Sequence, residues 1–365
     1  MGPLPTYNTH WKIRNDEFIT NTKRCMIDKT IYYHLTPQRI WNWLITVLSF
    51  YCSRMLCISY HPARPISLSI EPTTSCNLGC PECPSGLKIF HRPTGQLLPE
   101  QFAQWLPEFQ KHAIWVNFYF QGEPFLNKKI FQLIQQATDA RLYTCVSTNG
   151  HFLHEAHVKS ILQCGLKLII ISIDGVTQST YENYRIHGSL SSVLEGTQRL
   201  VTARNSTPKS KLKIIFQFLV TSANENEMET AKTMAKEIGV DEIRFKTTQV
   251  YDYKNGHALL PKNEKLSRYV RLSDGTYKIK NALDNHCWRM WSGTVITWDG
   301  QVVPCCFDKD AEHSMGNLKN HSLKEIWNNH AYRNFRSALF KSRSSHAICT
   351  NCSEGTRVWT SREII

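Results

Sequence analysis

Glu71-Pro72-Thr73-Thr74-Ser75-Cys76-Asn77-Leu78-Gly79-Cys80-Pro81-Glu82-Cys83 closes an apolar, strand-like run at residues 66–71. Its three cysteines are spaced C-x3-C-x2-C on one short loop. Three thiolates so placed can hold three corners of a cubic 4Fe–4S cluster and leave the fourth iron open to a small chelating ligand. Zinc is the rival metal, but structural zinc sites complete four protein ligands. Three unrelated buried thiols are the bland alternative.

Downstream the chain keeps a regular beat. Strand-like runs at 66–71, 114–120, 142–147, 168–173, 212–220 and 242–246 alternate with amphipathic stretches at 99–110, 129–138, 154–163, 191–203 and 225–238. Such repeats predict an α/β fold whose parallel sheet curls into a partial barrel. In such folds chemistry collects at the C-terminal ends of the strands. Those ends carry Gln121-Gly122-Glu123-Pro124, Ser147-Thr148-Asn149-Gly150 and Ser172-Ile173-Asp174-Gly175, with Arg185 just beyond. Each motif alone reads as a turn. In order, each at a strand end, they read as one site.

With these motifs in place, residues 66 to about 250 resemble the radical S-adenosylmethionine (SAM) superfamily. The resemblance implies a partial (β/α)6 barrel. It implies that Cys76, Cys80 and Cys83 ligate a cluster whose open iron takes the amine and carboxylate of SAM. An electron from the cluster then breaks the sulfonium C–S bond. Gly122, Glu123 and Pro124 look like the family's GEP motif, whose carboxylate suits the methionine ammonium. Asn149 lies in a turn similar to the family's TNG, and Ser172 and Asp174 in one similar to its S-x-D-G. The serine and arginine that match Ser172 and Arg185 hold the SAM carboxylate in related enzymes, a task that suits a planar guanidinium. Gln217 on the fifth strand is a further candidate. One departure stands out: Glu82 occupies the place before the third cysteine, where relatives carry an aromatic residue near the adenine.

The tail reads Cys287-Trp288-Arg289-Met290, then Gly300-Gln301-Val302-Val303-Pro304-Cys305-Cys306, then Cys349-Thr350-Asn351-Cys352. The pattern C…G-x4-C…C-x2-C resembles the SPASM and twitch extensions of the same superfamily. Gly316-Asn317-Leu318 and Ile326-Trp327 resemble the segment that follows. The middle cysteine group of a full SPASM domain is missing, so the resemblance implies one auxiliary 4Fe–4S cluster on Cys287, Cys305, Cys349 and Cys352. Cys306 could replace Cys305, and a structural zinc site on the same thiolates is the alternative. Cys25, Cys52, Cys57, Cys145 and Cys164 are scattered and read as buried small hydrophobes.

The remainder bounds the setting. The chain has 365 residues, 13 cysteines and a formal net charge of +13. An odd cysteine count and the lack of an apolar core in residues 1–14 argue against a disulfide framework and for a cytoplasmic protein. Met1-Gly2 with Thr6 matches a myristoylation pattern loosely, and the adjoining Pro3 and Pro5 make it read as chance. Positive charge favours anionic partners without choosing among them. Residues 36–59 read as a helix with Thr36 as cap and Pro37 at its first position. Its uncharged run, residues 40–53, is shorter than the roughly 18 residues a membrane span needs. The helix either packs on the main domain or lies at a membrane surface, anchored by Trp41, Trp43 and Arg54. In the second case it presents Trp41, Trp43, Leu44, Val47, Leu48 and Phe50 outward.

The expected organisation is an N-terminal extension at 1–62, a barrel at 63–250, a linker at 251–285 with turns at Asn255-Gly256 and Asp274-Gly275, and an auxiliary-cluster domain at 286–365. The expected function is a radical SAM oxidoreductase or transferase fed by a flavodoxin or ferredoxin. Its substrate is a peptide or protein side chain, or a small molecule. No catalytic acid or base is assigned. A non-catalytic electron carrier is the alternative, but a carrier needs no SAM site. Nucleic-acid modification rests on charge alone and ranks last.

Overall fold

The computed structural model describes residues 29–208, 210–280, 283–352, 354 and 359–365. The readings of Met1-Gly2, Thr6, the first fourteen residues and Cys25 lie outside these.

Six parallel strands form as the sequence beat predicts: β1 (Ser67–Ile70), β2 (Trp115–Asn117), β3 (Tyr143–Thr148), β4 (Leu168–Ser172), β5 (Lys213–Val220) and β6 (Glu242–Thr247). They pair in chain order. Helices Pro99–Trp105, Ile130–Asp139, Glu155–Gln163, Leu190–Asn205 and Met228–Ile238 run between them. Alternation sorts the side chains. Leu68, Ile70, Val116, Ile169 and Ile171 join the core beneath the helices, while Tyr143, Cys145, Leu168, Ile170 and Ile215 pack together on the inner side. Every residue of β4 is buried, as a strand covered on both faces must be.

Three departures follow. The 251–285 segment carries a hairpin, β7 (Tyr269–Arg271) with β8 (Tyr277–Ile279), turned at Asp274-Gly275 where Gly275 takes φ +85. The tail joins the barrel's own sheet. β9 (Gly293–Ile296) pairs parallel to β1, followed outward by β10 (Gln301–Val303) and β11 (Gly316–Asn317). At the other edge β12 (Thr360–Ile364) pairs antiparallel to β6, giving a sheet of ten strands.

The third departure is the helix Pro37–Leu56. Thr36 caps it, its hydroxyl accepting from Arg39 N at 3.2 Å. Its polar side faces inward. The Arg39 guanidinium donates to the carbonyls of Gln110, Ala140 and Arg141, and Asn42 donates to that of Arg64. These carbonyls precede β1, β2 and β3, so the helix crosses the N-terminal ends of the strands. Thr46, Ser49 and Ser53 are buried with them. Trp41, Leu48 and Met55 face out at 65%, 64% and 70% exposure, and Ile40, Trp43, Leu44, Tyr51 and Leu56 are exposed too. The outward list needs two changes. Phe50 is buried against Trp288 and Trp291, and Val47 is half-covered. Cys52 and Cys57 are exposed rather than buried, because they lie on this outer surface. Cys145 and Cys164 are buried as expected. Among the described residues no helix is long and apolar enough to cross a membrane.

Candidate functional site

The loop after β1 is held by backbone bonds, not by its thiols. Gly79 N donates to Ile186 O at 3.0 Å, Glu123 N to Ser75 O at 2.7 Å, and Cys83 N to Cys80 O at 3.2 Å. Cys80 is buried, and Cys76 and Cys83 are half-buried. Burial pushes the Cys76 thiol up to about 11 and raises Cys80 as well, with Arg185 opposing it at Cys80. A bound cation removes that penalty and deprotonates the thiols outright. The donor set therefore fits an iron–sulfur cluster.

The strand-end motifs close on this loop. Gly122 has φ +73, and a Cβ there would overlap the Thr73 carbonyl and stand 2.8 Å from that of Ser75. Glu123 is 2% exposed. Its oxygens accept from Thr148 Oγ1 and Asn149 N at 2.7 Å each, and from Phe125 N at 3.2 Å. The carboxylate thus brackets two strand ends, and any ammonium would share it with these donors. Pro124 opens the turn Pro124–Leu126 and is buried. Asn149 Nδ2 donates to Asn77 Oδ1 in the cysteine loop at 2.7 Å. Asp174 accepts Arg185 Nε at 2.5 Å and Leu219 N at 2.7 Å, and Arg185 Nη1 lies 3.8 Å from Cys80 Sγ. Ser172 and Gln217 are register partners across β4 and β5.

Sequence reading missed several supports. Arg92 grips Glu71 with two bonds of 2.8 and 2.5 Å. Ser85 Oγ accepts from Gly122 N at 2.8 Å. The departing Glu82 is a tether: it accepts Tyr251 N at 2.9 Å and meets His257 at 3.4 Å. A glutamate in place of an aromatic was the visible signal for that one.

In the tail, Cys349 and Cys352 sit on one turn, joined by Cys352 N to Cys349 O at 3.1 Å. Arg343 Nη2 donates to Cys352 Sγ at 3.3 Å and to Glu354 O at 2.8 Å. The thiols of Cys287, Cys352 and Cys349 all raise the Arg343 pKa against the effect of its burial. Burial raises the Cys305 thiol well above its ordinary value, and the neighbouring Cys306 thiol, then those of Cys287 and Cys352, add to it. Cys306 faces Arg289, with Nη1 to Sγ at 3.7 Å. Among the described residues no three His, Cys, Asp or Glu side chains close on a point as ligands of a single ion do. A cubane is larger, and its thiolates bind at separate corners.

The radical SAM superfamily model matches residues 70–240, and a model of the SPASM iron–sulfur cluster-binding domain matches residues 287–353. The chain belongs to the radical SAM superfamily. The PqqA peptide cyclase of Gluconobacter oxydans is 27% identical over 286 residues, 73% of this chain and 77% of that protein. The tungsten-containing aldehyde ferredoxin oxidoreductase cofactor-modifying protein of Pyrococcus furiosus is 24% identical over 317 residues, 78% and 86% respectively. The solved structure of anSMEcpe with bound AdoMet and the Cp18Cys peptide covers 80% of this chain and 91% of its own, with a TM-score of 0.57 at 18% identity. SuiB of Streptococcus suis bound to S-adenosylmethionine gives a TM-score of 0.56 at 12% identity, covering 80% of this chain and 71% of its own. These structures support the barrel fold. This radical SAM enzyme uses SAM and 4Fe–4S clusters as its cofactors.

Within the radical SAM barrel a cavity of about 370 Å³ lies between β1, β2 and β9. Ser69, Asn117, Tyr119, Arg289, Cys306 and Glu354 are among its lining. It joins the inner side of the barrel to the tail cysteines.

Glu123 gives the radical SAM site a pH dependence. Burial first of all pushes its carboxyl from 4.5 up to about 7, against the Asn149, Thr148 and Phe125 donors. Between those values the folded chain keeps a proton that the unfolded chain has lost. Stability therefore falls as pH rises through that window, by roughly 3 kcal/mol at most. In urea unfolding from pH 4.5 to 8, Glu123→Gln is expected to flatten this slope. An equal slope in the variant would assign it to other groups.

Proposed function

We propose that Cys76, Cys80 and Cys83 hold the SAM-binding cluster and that Cys287, Cys305, Cys349 and Cys352 hold one auxiliary cluster. The substrate, a peptide or small molecule, occupies the barrel cavity between them. The observation that carries this reading is the convergence of Gly122, Asn149 and Arg185 on the three-cysteine loop. When bound, cluster and SAM supply a 5′-deoxyadenosyl radical that takes a hydrogen atom from the substrate. The chain's residues bind and orient. Asp174 fixes Arg185 by its Nε, which leaves the outer guanidinium for the SAM carboxylate beside Cys80. Gly122, Glu123, Pro124 and Asn149 shape the ammonium side, and Ser172 at the end of β4 with its register partner Gln217 within β5 stands beside them. The extension 1–62, core 63–250, linker 251–285 and tail 286–365 serve as its working units, and a flavodoxin or ferredoxin supplies the electron. Anaerobic reduction with SAM should release 5′-deoxyadenosine. A reconstituted chain that releases none would end this reading.

Arg185→Ala is expected to weaken SAM binding by about 2–5 kcal/mol, and Arg185→Lys by less, because the fork is lost but the charge remains. Equilibrium dialysis with labelled SAM measures both. Equal affinities for all three chains would place the SAM carboxylate elsewhere.

The helix Pro37–Leu56 supports a cytoplasmic protein that works at a membrane surface. Its apolar side faces out, aromatic rings of Trp41, Trp43 and Tyr51 lie on it, and exposed Arg54, Lys111 and Arg141 stand around it. Such a face dips into a headgroup layer and adds attraction to anionic lipid. Sedimentation with anionic vesicles should pull the protein down at low salt and less at high salt, and Trp41→Glu with Leu48→Glu should keep it in the supernatant. Wild-type protein left in solution at low salt would remove the membrane from the account.

A further inference from the structure

Glu82 stands immediately before Cys83, and Asn351 immediately before Cys352. One short segment, residues 249–251 just beyond β6, takes hold of both. Tyr251 N donates to the Glu82 carboxylate at 2.9 Å. Asn351 Nδ2 donates to Val250 O at 2.6 Å, and Gln249 Nε2 to Asn351 O at 3.3 Å. A second stretch of the tail arrives at the same place. The Lys309 ammonium, four positions after Cys305, lies 3.4 Å from Glu82 O and 4.6 Å from the centre of the Tyr251 ring. Three cysteine-bearing stretches therefore meet at residues 249–251. Glu82 follows β1 and Val250 follows β6, the first and last barrel strands, which do not pair with each other. The tie spans that gap.

The two sides of the tie are built differently. Toward the tail the segment has an apolar seat and several bonds. Val250 is fully buried with Leu259, Leu260 and Tyr269. Tyr269 Oη donates to Asn351 Oδ1 at 2.8 Å and accepts from Val250 N at 3.2 Å. Tyr184 packs on the same apolar group, but it comes from the loop after β4. Toward the first cysteine loop the bond rests on the Glu82 side chain, which His257 Nε2 also meets at 3.4 Å. A carboxylate that accepts a backbone N–H makes a strong, directional bond. A hydrocarbon ring at position 82 could cover the same surface but could not accept from Tyr251 N.

We propose that Glu82 is a positioning residue: through the 249–251 segment it fixes the placement of the loop that carries Cys83 relative to the turn that carries Cys352. The proposal rests on the reading that these two loops hold the SAM-binding and the auxiliary cluster. Both centres then sit on loops, which need outside support to keep a working geometry. Neither the Glu82 bond nor the Asn351 bonds involve a thiol, so the support is independent of cluster ligation. Plain packing is the competing account. In that case the apolar group around Val250 holds the segment whatever stands at position 82, and a change there is felt at Tyr251 alone.

The test uses the reconstituted full-length protein and reads the far end of the tie. By hydrogen exchange, the Tyr251 amide in Glu82→Ala should exchange about tenfold faster once its acceptor is gone. The amides of residues 349–352 should speed up with it. With both clusters reduced, each paramagnetic centre speeds the other's spin relaxation in a way that depends steeply on their separation. The narrow spread of relaxation rates in the wild type should broaden in Glu82→Ala. Glu82→Gln keeps an acceptor oxygen at the same reach and should restore both readouts. Glu82→Asp is one methylene short and should not. Faster exchange at Tyr251 with the tail turn and the relaxation unchanged overturns the proposal in favour of packing, and so does unchanged exchange at Tyr251. Should Glu82→Ala fail to fold, the Gln and Asp variants carry the same comparison, and equal behaviour of the two overturns the proposal. Iron counts separate the two levels of the argument. A wild type that lacks either cluster ends the underlying reading and this proposal with it, whereas two clusters indifferent to residue 82 end this proposal alone.

Discussion

Replacing Cys76, Cys80 and Cys83 together with alanine removes one cubane, about four of about eight irons per chain, and abolishes 5′-deoxyadenosine formation. The loss is chemical and not a failure to fold. The loop keeps its shape through Gly79 N to Ile186 O and Glu123 N to Ser75 O, neither of which involves a thiol. Cys80 is the buried member, and Arg185 beside it loses a partner but keeps Asp174. Circular dichroism should therefore resemble that of the parent. Cys287→Ala with Cys352→Ala is the reciprocal variant and should leave the other four or so irons. Cys305→Ala should lose the auxiliary cluster, whereas Cys306→Ala should keep it, because Gly300 and Cys305 fit the G-x4-C spacing. Anaerobic reconstitution with iron counting reads all of these. A triple variant that still cleaves SAM would show that the loop is not the reducing centre, and zinc in the tail of anaerobically purified protein would refute the auxiliary cluster.

The strands and the motifs at their ends were legible because each carries its own local signal. An apolar run of four to eight residues marks the strand, and glycine beside a polar residue marks its end. Pairing partners were not. Gly293–Ile296 is only four residues long, and nothing within it announces a parallel match to β1 more than two hundred positions earlier. Arg185 and Asp174 were both picked out, yet their bond to each other and the reach to Cys80 depend on how the 174–188 segment folds back. The helix Pro37–Leu56 is the sharpest case. Its polar stripe of Arg39, Asn42, Thr46, Ser49 and Ser53 has helical spacing, and the ordinary rule would turn that stripe to solvent. It turns inward because the carbonyls of Gln110, Ala140 and Arg141 below the strands need donors, and buried carbonyls without them are costly. No reading of the helix alone could supply that fact.

Gly122→Ala should disable the SAM site without touching a ligand. A residue other than glycine at positive φ costs about 1–3 kcal/mol by itself. The added methyl would also overlap the Thr73 carbonyl and crowd that of Ser75 at 2.8 Å. Both are backbone atoms of the cysteine loop, so relief requires moving the loop. Thr73 is pinned by a bridge to Gln96, and Ser75 O by Glu123 N at 2.7 Å. Displacing a reacting centre by about 1 Å can cost on the order of 100-fold in rate. A fall of that size in 5′-deoxyadenosine release is expected, with Cys76 ligation weakened in the iron count. The control is Gly239→Ala. Gly239 has φ +83, but the nearest atom to its added methyl is Val201 Cγ1 at 3.5 Å, an ordinary contact. That variant pays the backbone strain alone and should melt earlier while keeping its irons and its SAM cleavage. If both variants lose activity in proportion to their melting temperatures, strain explains Gly122. If only Gly122→Ala loses it, the glycine is there so that the second strand's end can lie directly against the loop that carries the cluster.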